Sequence, residues 1–267
     1  MTDILALPFM QRAMLAAAVT GLLGGVVGVF LVQRRLAFMA AGISHSAFAG
    51  IGAGLYLGLA PFAVAAPLAV GVGLGIAYWH RRDLAEDTVV GIFFAGGMAA
   101  GVILLALSGA NAGLSAYLFG SILGIGGREL MALALVAVGV IGFFAAAWGR
   151  LTLVTFDREL AQASGIGVAR LDAAFFAAAS LAIVASVKLV GIVLVSSFFV
   201  VPAATARLLG ATFARVTLLS AALGTATAVA GLLLSYPLQA PVGALIVLAQ
   251  AGLFGLVAGL RRVLGGD

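Results

Sequence analysis

Two histidines, one lysine and no cysteine set narrow limits on the chemistry open to this chain of 267 residues. His45 stands in the apolar run ISHSAF, with no Asp or Glu between Asp3 and Asp83. An ionisable side chain inside hydrocarbon is a functional candidate by default, because its charged form is costly there. The neutral imidazole suits that setting and is also the form that ligates metals. A divalent ion passing His45 would meet imidazole, the hydroxyls of Ser44 and Ser46, the Met39 thioether and backbone carbonyls. Such a nearly neutral set favours borderline-soft zinc over manganese. The competing reading of His45 is a histidine hydrogen-bonded within a helix bundle. His80, beside Arg81 and Arg82, reads as a solvated loop residue.

Other chemistries fall away. Without cysteine there are no disulfides, thiolate zinc sites or cysteine nucleophiles. A phosphate-binding Walker A loop needs a lysine after its last glycine, whereas Lys188 stands between Val187 and Leu189. His45 has no acid partner to orient it for a nucleophilic triad. No enzymatic activity and no permanently bound cofactor are expected, so any ATP-derived energy would have to come through a partner.

The elements that hold these residues are membrane helices. Hydrophobic residues make up 64% of the chain and charged residues 9%, against about 25% charged in a soluble domain. A hydrocarbon core of ~30 Å takes about 20 apolar residues per helix. Candidate spans are 13–33, 38–59, 62–79, 89–107, 129–149, 172–187, 189–206, 214–234 and 242–260. The fold class is therefore all-α, one polytopic transmembrane domain over 1–267 with about nine helices, or eight if 172–206 is a single one. Counting arginines decides between these. With nine spans, the N-terminus outside and the C-terminus cytoplasmic, only Arg12, Arg128 and Lys188 fall outside. Merging the two runs evens the split, against the positive-inside bias. The positive charges sit in short connections rather than on a basic face, so nucleic acid is not an expected partner. The first apolar run lacks a basic leader and reads as a retained span. Pairs such as Gly21/Gly25, Gly24/Gly28, Gly50/Gly54, Gly54/Gly58 and Gly71/Gly75 have GxxxG spacing, which lets helix backbones approach closely in lipid. The glycine-rich segment Ser108–Arg128 is placed outside, with a short interfacial helix across Leu114–Leu123.

The longest polar interruption is Leu151–Leu171, which has the grammar of a short surface helix. Asp157 can cap its start, Glu159 suits its first turn, and Gly165 suits a left-handed exit. Leu160 and Ala163 give it a small apolar side, flanked by Phe156.

The run TFDRELAQASGIGVARL resembles the cytoplasmic coupling segment in permease subunits of the zinc, manganese and iron ABC importers. Four further stretches agree in order and spacing: RRLAFMAAGISHSAFAG (34–50), AYLFGSIL (116–123), VGIVLVSSFFVVPAATARLL (190–209) and YPLQAPVGALIVL (236–248). The resemblance implies a bacterial plasma-membrane permease that forms a metal path as a two-fold dimer. It also implies two copies of an ABC ATPase subunit docked beneath and an extracytoplasmic binding protein that delivers the ion. Phe156, Asp157, Glu159, Leu160 and Gly165 would then couple to the ATPase, with Phe156 and Leu160 filling its groove. Pro202, in PAATA, would be either a gating bend or a static kink satisfied by Thr205 or Ser197. The family pattern places an acid four residues before the histidine, but Ala41 stands there, so the metal assignment carries over to His45 alone. A permease for a metal chelate or cobalamin-type cofactor is the runner-up. An ion-gradient-driven secondary transporter would need intramembrane acids that the spans lack, and a non-transporting scaffold leaves both His45 and the coupling stretch unexplained.

Overall fold

In lipid a backbone must satisfy its own hydrogen bonds, and a chain of apolar runs does so by forming helices. The computed structural model describes residues 7–80, 85–109, 114–121, 125–210 and 212–265. Among these the helices are α1 (Pro8–Gln33), α2 (Met39–Tyr56), α3 (Pro61–His80), α4 (Glu86–Ser108), α5 (Leu114–Phe119) and α6 (Gly127–Ala146). They continue with α7 (Trp148–Phe156), α8 (Arg158–Ala163), α9 (Val168–Val190), α10 (Val195–Leu209), α11 (Phe213–Leu238) and α12 (Val242–Gly265). Each apolar run of the sequence coincides with one helix. Seven of them, α1, α3, α4, α6, α9, α11 and α12, are long and apolar enough to cross a membrane, while α2 and α10 fall outside that set.

Small residues decide which faces meet. The two glycine registers of α1 serve different neighbours. Gly21 and Gly25 lie against Gly224 and Ala221 of α11, and Gly24 and Gly28 lie against Phe198 and Phe199 of α10. The Ser220 hydroxyl donates to the Gly25 carbonyl at 2.8 Å across the first of these contacts. This makes α1, the first apolar run, the buried centre of the bundle. A second pair is α2 with α4, where Gly97 meets Ser46 and Gly101 meets Phe48. Gly50 and Gly54 turn to Ala65 and Pro61 at the start of α3, whereas Gly71 faces open space and Gly75 meets only the Phe93 ring. The last two therefore do not form the close backbone contact that their spacing predicts.

The run 172–206 resolves into two helices. Gly191, at φ +93, ends α9 in a conformation that suits glycine. Its neighbours bond elsewhere: Ile192 and Val193 donate to the carbonyls of Tyr117 and Leu118, and Ser121 donates to Lys188 O. Irregular backbone is thus satisfied by protein rather than left to lipid. The segment expected as an interfacial helix across Leu114–Leu123 is helical only to Phe119, because Gly120 turns with φ +81 and pairs the chain onto this break.

The two ends of the bundle differ. Asp172 and Lys188 lie 16 residues apart on α9, about 24 Å at 1.5 Å per residue. Lys188 pairs with Glu129 at 3.0 Å at one end. At the other, Phe30, Phe144, Trp148, Phe175 and Phe213 form edge-to-face contacts that join α1, α6, α7, α9 and α11.

Candidate transport site and coupling surface

His45 is 8% exposed on α2, one and a half turns in from its start. The Nδ1 atom lies 2.9 Å from the Ala41 carbonyl and 3.3 Å from the Ser44 hydroxyl. Ser44 itself donates to Ala41 O at 3.0 Å. A carbonyl only accepts, so Nδ1 carries the ring proton and Nε2 keeps its lone pair. That tautomer presents a metal-ligating nitrogen away from the helix. Phe94 of α4 covers one ring face, its centroid 4.1 Å away. The structure thus brings His45, Ala41 and Ser44 together. Ser46 and Met39 go elsewhere: the Ser46 hydroxyl donates to Phe93 O at 2.8 Å, and Met39 is fully buried in the core. Among the described residues no three His, Cys, Asp or Glu side chains gather to hold a metal ion.

The polar stretch 151–171 is built in three pieces. α7 continues α6 past a bend at Ala147 and carries the chain to Phe156. The Asp157 carboxylate then accepts from Leu160 N at 2.8 Å, capping the six-residue α8. At its exit Gly165 takes φ +78, and its N–H donates to Gln162 O while Ile166 N donates to Ala161 O. These two bonds are a Schellman ending, and the contact of Ile166 with Ala161 completes it. Ala161 is the buried face, packed with Val154 and Val168. Phe156, at the end of α7, is 57% exposed and Leu160 of α8 is 52% exposed.

Beneath α8 lies an ion cluster that the sequence did not announce. Arg34, the first residue after α1, donates to Asp172 Oδ1 at 3.0 Å, to Thr155 Oγ1 at 2.9 Å and to Leu151 O at 3.3 Å. Its guanidinium sits 4.3 Å from the Phe175 ring centroid. Burial pushes the Arg34 guanidinium below its ordinary value, and Asp172 pushes it back up. Arg158, which opens α8, donates to Asp172 Oδ2 at 2.6 Å. Asp172 is 2% exposed.

The sequence profile of the ABC 3 transport family matches residues 6–260. The chain belongs to that family. It is 32% identical over 256 residues to the manganese transport system membrane protein MntC of Halalkalibacterium halodurans, covering 95% of this chain and 88% of that protein. It is 29% identical over 261 residues to the chelated iron transport system membrane protein YfeC of Yersinia pestis, with the same two coverages. Its backbone superposes on PsaBC from Streptococcus pneumoniae in complex with Fab with a TM-score of 0.87 and 28% identity, covering 96% of this chain and 93% of that one. It is a metal-ion ABC importer permease, a multi-pass protein of the bacterial plasma membrane.

In this permease Pro202 leaves α10 continuous from Val195 to Leu209. Proline lacks an N–H, which frees the Phe198 carbonyl. The Thr205 hydroxyl donates to Val201 O at 2.8 Å, not to that carbonyl, which instead faces Gly24 of α1. Asp172 escaped the sequence reading because it stands at a span edge beside Arg170, where it looks like an ordinary boundary charge. Only the fold shows that Arg34, 138 residues earlier, reaches it.

Proposed function

We propose that this permease carries a divalent transition metal into the cell as a two-fold dimer, with His45 of each copy meeting the ion. The observation that carries this reading is the 2.9 Å contact of His45 Nδ1 with Ala41 O in a helix with no acid, since a neutral imidazole that donates there keeps Nε2 for a metal. A zinc ion takes about four ligands, so one imidazole from each copy makes a weak, transient contact, which suits passage rather than storage. The set contains nitrogen but no carboxylate, and this favours zinc. An extracytoplasmic binding protein supplies the affinity that the path lacks. ATP is hydrolysed by two separate ATPase subunits, which dock at Phe156 and Leu160 with Asp157, Glu159 and Gly165 shaping α8. The N-terminus lies outside and the C-terminus in the cytosol, so α8 faces the ATPase.

A second reading, a permease for a metal chelate, has support from one relative, whose name specifies chelated iron. A chelate would need a wider, uncharged path, and the absence of an acid at Ala41 is compatible with that. Uptake in cells lacking this chain, complemented by it, separates the two. Zinc uptake that excess manganese fails to suppress supports the first reading. Uptake of iron only as a chelate, with zinc untouched, overturns it.

A further inference from the structure

An ATPase docked on α8 must move helices, yet α8 has six residues and little intrinsic stability as a helix. Its apolar attachment is one alanine, Ala161, between Val154 and Val168. A charged contact, Arg158 to Asp172 at 2.6 Å, ties it to α9. We infer that Asp172 is the joint that transmits movement of α8 to α1 and α9. One carboxylate oxygen holds Arg158 of α8 and the other holds Arg34 at the end of α1, while the backbone of Asp172 belongs to α9. Through Thr155 and Leu151 the same guanidinium of Arg34 also grips α7. Four elements therefore meet at one buried carboxylate, and its inference as a positioning residue rests on the docking of an ATPase at α8 proposed above.

The chemistry suits a joint better than a glue. Apolar side chains of similar volume hold helices together at least as well as buried ion pairs, so stability alone gives no reason for three charges here. Charge-assisted bonds differ in being directional and short. The Asp172 side chain itself is only 3% exposed, so each oxygen depends on its guanidinium and the carboxylate follows when that guanidinium shifts. The Arg158 side chain is 39% exposed, while that of Asp172 is 3% exposed. Two guanidiniums against one carboxylate leave a positive excess. It opens onto a cleft of about 240 Å³ lined by Leu36, Thr155, Phe156 and Arg158. The outer arm is thus reachable by a docked partner while the inner arm is locked against Phe175.

The test uses the whole importer in proteoliposomes, with ATPase and binding protein. Arg158→Gln leaves the buried Arg34–Asp172 pair intact, so the bundle keeps its fold. The expected result is an ATPase that co-purifies at the wild-type level and hydrolyses ATP, while metal taken up per ATP falls roughly tenfold, within the range by which single residues alter coupling between sites. Arg158→Lys, which keeps the charge, restores most of the ratio. Asp172→Asn gives the same loss, and if it fails to accumulate, the Arg158 variants decide. An unchanged ratio in Arg158→Gln overturns the joint. Loss of ATPase binding in Arg158→Gln also overturns it, by making Arg158 a docking residue. A wild-type chain that never binds the ATPase overturns the docking reading instead.

Discussion

His45 donates through Nδ1 to the Ala41 carbonyl, so the position where the family pattern has an acid acts here through its backbone. His45→Ala is expected to abolish metal-dependent growth rescue while the permease still reaches the membrane. Rescue at the wild-type level would reject the assignment. Ala41→Asp adds a hard oxygen ligand one turn from the imidazole, and such ligands suit manganese. The expected outcome is that manganese then competes for zinc uptake, and an unaltered competition profile contradicts it. The histidine was legible in the sequence because it interrupts an acid-free apolar run. Its neighbours were less so. Ser46 and Met39 are close in sequence, but one and six positions along a helix point to other faces, toward α4 and the core.

Helix spacing alone did not tell a packed glycine pair from an idle one. Gly25 and Gly71 share the GxxxG pattern, yet only Gly25 has another backbone against it. Gly25→Val should lower the melting temperature of the purified permease, with overpacking costing about 1–3 kcal/mol. Gly71→Ala should leave it unchanged. Equal melting of the two variants would contradict the packing described. The surface helix was legible at both ends from Asp157 and Gly165, since capping is local chemistry. The apolar side expected from Leu160 and Ala163, flanked by Phe156, is exposed, and the residue buried against the bundle is Ala161. Leu160→Asp puts a charge on the docking face and should abolish co-purification of the ATPase with the caps intact. Retained co-purification would move the docking site elsewhere.

At the scale of the molecule, the runs of apolar residues made the helices legible, and the division of 172–206 into two followed from arginine bias and the length limit of a span, although the expected break at Lys188 falls at Gly191. Long-range charge pairing was not legible. Arg34 and Arg158 count as loop charges until the fold brings both to Asp172. The aromatic contacts beside that cluster, with the Phe156 and Phe213 ring centroids 5.4 Å apart, tie the exposed Phe156 of α7 to the central helix α1 through Phe30. Proteoliposomes containing the permease, its ATPase and the loaded binding protein are predicted to accumulate metal against a gradient only when ATP is on the α8 side. Liposomes holding the permease alone are predicted to accumulate none, and uphill accumulation in them would contradict the account.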